Sequence, residues 1–270
     1  MKLRTIDEHA GYLVSLIAYS FDYLSGRDEW HQPLAHLNMA AGIKNIEYDK
    51  LRFDRYYNIG MGCSAADDAS YAQNKFENKL IISLCRFNFI WSSLETIIDI
   101  VVPPKLITNP RGKVNNACFF LKHNIPVALS FNAYEEELNL LESSIIENSC
   151  YSEIIKDGLS YGDHVSNSGK GLFLTYKLRN KLVHGSLEIP MTHQEEAEEM
   201  HTDNYIVELS SRLVLYTIQM LCLIFWKDKF PTIEWTPYFH EKELDIYTAF
   251  TNIQYDCDLS DIPLQKSLFA

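Results

Sequence analysis

The residue types best suited to chemistry stand close together in the 270-residue chain, at Arg179, Asn180 and His184. Asn180 and His184 are four residues apart and share one face of a helix, while Arg179 lies about 100° from Asn180 around the axis. The long arginine side chain can reach the same pocket. An imidazole that exchanges protons near neutral pH, beside a permanent cation, provides the two elements of metal-free RNA cleavage. These are proton transfer at the 2′-hydroxyl and leaving oxygen, and a charge that binds the phosphate.

The surrounding segment has the pattern of an amphipathic helix with local positive charge. Three leucines recur every four residues and predict a buried edge: Leu174, Leu178 and Leu182. A local cationic patch in an acidic protein consists of Lys177, Arg179 and Lys181. Three lysines are predicted to bind RNA: Lys170, Lys177 and Lys181. Gly185, directly after the histidine, and Pro190 predict that the helix ends there.

The order Arg179-Asn180-x-x-x-His184 resembles the Rx4–6H motif of the HEPN ribonuclease family, in which a polar residue often follows the arginine. The glycine after the histidine is also common in that family. Residues 86–95 resemble an upstream HEPN helix, whose Leu-Glu pair, here Leu94 and Glu95, faces the motif in many members. The resemblance covers residues 75–230 and is greatest to the Apea-like branch associated with bacterial defence.

This resemblance implies an all-α, up-and-down helical bundle of HEPN type with extra N- and C-terminal helices. It also implies a homodimer with a composite active site, in which His184 transfers protons, Arg179 stabilises the phosphate and Asn180 orients either group. Glu95 is expected to support the site, and no metal or other cofactor is expected. Cleavage of single-stranded RNA would leave a 2′,3′-cyclic phosphate and a 5′-hydroxyl, whereas DNA would not react. The expected role is a toxin or phage-defence effector, with an antitoxin or defence-system protein as partner.

Apolar stripes elsewhere predict the elements that position this segment. Spacings of three and four residues predict long helices at 80–101, 134–145 and 206–223. The first must stop at Pro103, and the last is predicted to begin at Thr192. Weaker patterns predict helices over 6–24 and 240–253, and short strands at 56–59 and 233–235. Long amphipathic helices of this kind are typical of an all-α bundle.

The amino-acid composition limits the classes of protein to which the chain can belong. Hydrophobic residues make up 47% of the chain, enough for a sizeable core, and six scattered cysteines without a CxxC pair indicate a reducing compartment. A net charge of −12 argues against a protein that coats nucleic acid non-specifically. The N-terminus starts basic, but Asp7, Glu8 and His9 interrupt it before any long apolar run, which argues against a signal peptide. The apolar run at 213–226 is shorter than the roughly 20 residues that span a bilayer. We predict a cytoplasmic protein without membrane contact, with an N-terminal helical extension (1–74), a HEPN-like domain (75–230) and a C-terminal extension (231–270).

The same residue types also suit purely structural or non-catalytic roles. A cation near a helix C-terminus, such as Arg179, stabilises the helix dipole without any catalytic role, and Glu95 can pair with a core arginine or tyrosine. His193 and His201 are about 12 Å apart along a helix, too far to share a metal ion unaided. The alternatives to an enzyme are a non-catalytic HEPN-like module that binds RNA, a nucleotide or a protein, and a structural subunit of a defence complex.

Overall fold

The computed structural model describes residues 2–21, 27–48, 64–125, 131, 133–147, 151, 154, 160–183, 201–227, 229, 232–235 and 242–257. Within these ranges the chain forms eight helices and one two-stranded antiparallel sheet. The helices are α1 (Ile6–Phe21), α2 (Arg27–Gly42), α3 (Ser64–Val101), α4 (Lys113–Asn124), α5 (Tyr134–Glu147), α6 (Asn167–Val183), α7 (His201–Trp226) and α8 (Ile246–Asn252). The strands are β1 (Thr232–Trp235) and β2 (Lys242–Asp245). The predicted helical class is confirmed, with this one hairpin added.

The longest helix, α3, carries the first predicted stripe. Its apolar members are buried: Leu80, Phe87, Trp91, Leu94, Ile98 and Val101. The helix packs against α2 and α7. It ends at Val101, two residues before Pro103, because proline cannot donate the next backbone hydrogen bond and disfavours helical geometry in the residue before it. The stripe therefore predicts both the buried face and the end of this helix correctly.

The second long helix, α7, is the centre of the core. Every residue from 209 to 224 is buried, and the helix contacts α1, α3, α4, α5, α6 and α8. By length and composition, Gln73–Val101 and Asn204–Trp226 are both apolar enough to cross a membrane, with 44% and 94% of their apolar windows buried in the fold. Burial by protein on all sides agrees with the predicted core helix. The cytoplasmic location stays a prediction.

The C-terminal region differs from its predicted helix. The helical pattern over 240–253 is correct only from Ile246, because residues 242–245 form β2, which pairs with β1. The side chain of Asp245 accepts a hydrogen bond from the Thr248 backbone nitrogen at 2.9 Å and so begins α8 after the strand. The strand predicted at 233–235 is confirmed as β1, whereas the strand predicted at 56–59 and the helix start at Thr192 lie outside the described residues.

The two ends of the chain contact each other. The Arg4 guanidinium donates to the Ile253 carbonyl oxygen at 2.9 Å and lies 3.9 Å from the ring centre of Tyr12. Leu3 and Tyr255 form an isolated antiparallel bridge. The first residues of the chain are thereby joined to the segment that follows α8. The division into three domains stays a prediction.

A buried imidazole joins α1 to α7. The Nη1 atom of Arg212 donates to His9 Nδ1 at 3.0 Å, and because arginine has only donors, Nδ1 must be the acceptor. The ring proton is therefore on Nε2, which donates to Gln219 Oε1 at 2.9 Å. The Gln219 amide then donates to the Phe250 carbonyl oxygen at 2.6 Å and to Gln254 Oε1 at 3.0 Å. This set of hydrogen bonds requires a neutral His9.

We expect His9 to make the stability of the fold depend on pH. Burial, and next the charge of Arg212, hold the pKa of His9 well below its usual value of 6.5. Because the pKa of His9 is lowered in the folded protein, its contribution to the free energy of unfolding is present above pH 6.5. That contribution is lost as the pH falls, because the unfolded chain takes up a proton on His9 that the folded chain does not. The free energy of unfolding should fall by about 1.4 kcal/mol per pH unit from this group below that pH. Chemical denaturation at pH 7.5, 6.5 and 5.5 measures the slope, and His9→Gln is the control. Equal slopes in the two proteins would contradict this assignment.

Candidate functional site

Helix α6 carries the predicted site residues that the structure describes. Leu174 and Leu178 are buried and Leu182 packs against the core, so the predicted leucine edge is confirmed. This edge lies against α4 and α7. Near the start of the helix, the Gly171 backbone nitrogen donates to the Tyr134 hydroxyl at 2.9 Å, and a Cβ at position 171 would come within 2.9 Å of that oxygen. The contact with α5 therefore fixes the N-terminal half of the helix.

Arg179 lies against α3. Its guanidinium carbon is 5.9 Å from the centre of the Trp91 ring, within the range of a cation–π contact. The Tyr176 ring is inclined by only 18° to the Trp91 ring, with the ring centres 6.3 Å apart. Trp91 itself is 2% exposed. An aromatic contact between α3 and α6 therefore holds the arginine in place.

The guanidinium of Arg179 has no anionic partner within the described ranges. Its Nε atom is buried and has no hydrogen-bond acceptor among the described residues. An unsatisfied buried donor costs about 1–3 kcal/mol, and most such groups in folded proteins have a partner. No salt bridge from the side chain to a described carboxylate is present. The other guanidinium nitrogens are therefore not committed to a described group and can bind an anion such as a phosphate.

Glu95 lies next to Trp91 on the same face of α3. Its carboxylate accepts a hydrogen bond from the indole Nε1 of Trp91 at 2.8 Å. It makes no ion pair with Arg179 in the part of the chain that the structure describes. Trp91 thus stands between the two predicted site residues, although the apolar stripe predicts it only as a core residue. The sequence signal for this contact is the spacing of four residues between Trp91 and Glu95, which places the two side chains on one face of a helix.

The three lysines lie on another side of α6. At 100° per residue, Lys170, Lys177 and Lys181 fall within about 40° of one another and about 160–180° from Arg179. Lys170 Nζ lies 5.3 Å from the Tyr161 ring centre, and Lys177 Nζ lies 5.0 Å from that of Phe173. A single phosphate cannot contact both Arg179 and this lysine stripe. RNA binding by the lysines stays a prediction. The RNA that they bind would lie away from the phosphate that reacts at Arg179.

The remaining motif residues are described only in part. Asn180 is half-buried at the next position after Arg179. His184 and Gly185 follow directly after the last described residue of α6, Val183, and lie outside the described residues. Val183, where the described helix ends, is two residues before Gly185, at which the sequence predicts the end of the helix.

A separate cleft of about 340 Å³ provides a useful contrast. It is lined by Arg86 of α3 and Arg212 of α7, with carboxylates including Glu137. Both cations are committed to the protein: Arg86 donates twice to the Ile43 carbonyl oxygen, and Arg212 donates to His9 and to the Arg4 carbonyl oxygen. Burial raises the pKa of Glu137, which weakens its negative charge. The arginines of this cleft therefore have structural roles, unlike Arg179.

Comparison with known proteins does not identify a family for this chain. No family model matches the chain, and neither a curated protein nor a solved structure is significantly similar to it. The resemblance to HEPN domains therefore rests on residues 86–95 and 179–185 and stays a prediction.

Proposed function

We propose that this chain is a metal-independent endoribonuclease of the HEPN type that cleaves single-stranded RNA, such as tRNA or mRNA. Its biological role would be that of a toxin or an anti-phage defence effector. The observation that carries the proposal is Arg179, whose guanidinium contacts the Trp91 ring and makes no ion pair with a carboxylate among the described residues. A phosphate oxygen is the acceptor that such a fork-shaped cation binds best.

The proposed reaction is an internal transfer at phosphorus. The 2′-oxygen attacks the adjacent phosphorus and the bond from phosphorus to the 5′-oxygen breaks, which leaves a 2′,3′-cyclic phosphate and a 5′-hydroxyl. One imidazole takes the proton of the 2′-hydroxyl and a second gives a proton to the leaving oxygen. In a homodimer these groups are His184 and His184 of the partner subunit. Arg179 offsets the charge that develops on the phosphate, Asn180 orients the imidazole or the phosphate, and Glu95 acts through Trp91 as a positioning residue.

Incubation of the full chain with labelled single-stranded RNA in EDTA tests the proposal. Cleavage in EDTA that is absent from the His184→Ala protein is the expected result. Retention of intact RNA without cleavage would instead support the alternative of a non-catalytic binding module. A stable co-purifying protein, with no effect of His184→Ala on growth or on RNA, would support a structural subunit.

Trp91 provides a test of positioning as distinct from folding. Trp91→Phe keeps an aromatic surface below Arg179, and we expect kcat/KM for RNA cleavage to change by less than about threefold. Trp91→Leu removes that surface, and the loss of about 1 kcal/mol of cation–π stabilisation should lower kcat/KM by about 5–10-fold. Both variants are assayed well below their melting temperatures. Equal losses in the two variants would show that the ring does not position Arg179.

A further inference from the structure

A groove of about 700 Å³ lies where the C-terminal end of α3 meets the N-terminal end of α4. Its apolar lining is Ile98, Val102, Pro104 and Ile107. Its cations are Lys105, Arg111 and Lys113. The volume is in the range of ordinary ligand sites, and the lining combines an apolar surface with three cations and one carboxylate.

The groove is a local exception in an acidic protein. Its only carboxylate among the described lining residues, Asp99, pairs with Lys113 at 2.6 Å. Lys105 and Arg111 are exposed, and their side chains make no ion pair or hydrogen bond with the part of the chain that the structure describes. Two uncommitted positive charges therefore stand beside an apolar surface. A nucleotide has the complementary chemistry, since its phosphate is anionic and its base has apolar faces.

The start of α4 adds to the positive potential. The residue before the helix, Gly112, lines the groove and has a φ of 121°, a backbone conformation that favours glycine. It provides no side-chain cap for the helix. The first backbone N–H groups of a helix have no partner within the helix, and this end carries a partial positive charge. The positive end of the α4 dipole therefore lies at the groove, beside the cationic side chains.

The groove begins one helical turn after Glu95 on α3. Ile98, which lines the groove, is three residues beyond Glu95, or about 4.5 Å along the helix axis. Lys113 joins the two regions, because its Nζ contacts the Glu95 carbonyl oxygen at 3.3 Å as well as Asp99. RNA bound at Arg179 would have this cationic groove beside it.

We propose that the groove binds a segment of single-stranded RNA next to the scissile phosphate, with phosphates on Lys105 and Arg111 and a base against the apolar lining. The inference rests on the proposed function. An acidic protein segment would also suit the charge. The contact of Lys113 with the Glu95 carbonyl oxygen places the groove beside the proposed cleavage site and favours RNA.

The test measures RNA binding in a background that does not cleave. The full chain with His184→Ala is titrated against a fluorescein-labelled single-stranded RNA of mixed sequence, and anisotropy is recorded from 50 to 200 mM salt. The slope of log K against log salt is negative. Adding Lys105→Gln and Arg111→Gln should make it less negative by about 1.4, or about 0.7 for each lost phosphate contact. Over this fourfold range of salt, the parent should lose about seven times more affinity than the variant.

The matched control removes two cations from the N-terminal half of α3, far from the groove. Lys75 and Lys79 are exposed on α3, and Lys79 lies about 30 Å from Asp99 along the axis. Lys75→Gln with Lys79→Gln should leave the slope at the parent value. The same slope change in this control would show a general charge effect and would overturn the assignment.

Failure of this inference can be distinguished from failure of the proposed function. If His184→Ala abolishes cleavage but the Lys105 and Arg111 substitutions leave the slope and affinity unchanged, the groove is not an RNA site although the nuclease stands. If wild type cleaves no RNA but binding still depends on these two residues, the nuclease fails and the groove assignment survives. Binding of a ten-residue polyglutamate peptide in place of RNA would overturn the RNA assignment in favour of an acidic partner.

Discussion

Replacing Arg179 by glutamine is expected to lower the rate constant of RNA cleavage by about 10²–10³-fold while lowering the free energy of unfolding by no more than about 1 kcal/mol. The expected loss of rate is that of removing one group that stabilises charge in a transition state. The loss of stability should be small, because the Arg179 Nε has no acceptor among the described residues and only the contact with the Trp91 ring is lost there. Single-turnover cleavage and urea denaturation of the same preparation measure the two quantities.

Arg86→Gln is the matched control for this prediction. It removes an arginine from α3 whose guanidinium donates to the Ile43 carbonyl oxygen and lies 3.7 Å from the Asp7 carboxylate. This variant should lose about 1–2 kcal/mol of stability, and its rate constant should stay near that of wild type. A loss of stability without a loss of rate in Arg179→Gln would assign Arg179 a structural role at the helix end.

The second large effect is expected at Gln219. Gln219→Leu removes the printed hydrogen-bond partner of two buried groups, His9 Nε2 and the Phe250 carbonyl oxygen. Each such group costs about 1–3 kcal/mol, so the free energy of unfolding should fall by at least about 2 kcal/mol. For a chain of this size, the melting temperature should fall by at least about 4–8 °C. The cost is high because this one amide joins α1, α7 and α8.

Thr217→Val is the control on the same buried helix. The Thr217 hydroxyl bonds only to the Leu213 carbonyl oxygen of its own helix, at 2.9 Å. Its removal leaves no other described group unsatisfied, so the loss should stay below about 1.5 kcal/mol. Similar losses at positions 217 and 219 would mean that Gln219 is an ordinary core residue without a special linking role.

The apolar stripes correctly predicted the helix faces and helix ends that depend on local sequence. The buried face and C-terminal end of α3, the α5 face that contains Leu138 and Leu141, and the leucine edge of α6 all follow from spacings of three and four residues. These features need no knowledge of distant residues. The predicted helix over 240–253 was wrong at its start, because pairing with β1 and the cap at Asp245 override the helical pattern there.

Features that depend on distant residues were not predictable in this way. His9 is separated from Arg212 and Gln219 by 203 and 210 residues, so no local pattern marks it as buried. The contact between Arg179 and Trp91 likewise joins two helices, and the motif alone does not show that the Arg179 Nε lacks an acceptor among the described residues. The loop that supplies Lys105 and Arg111 has no periodicity, and only the fold brings these cations to the apolar end of α3.

The chemistry of the cleaved ends tests the central claim most directly. A defined single-stranded RNA is incubated in EDTA with wild type and with the His184→Ala protein, and the products are analysed by mass spectrometry. We predict a 2′,3′-cyclic phosphate on one fragment and a 5′-hydroxyl on the other with wild type, and intact RNA with the variant. A 3′-hydroxyl with a 5′-phosphate, or equal cleavage by both proteins, would contradict a 2′-hydroxyl attack that depends on His184.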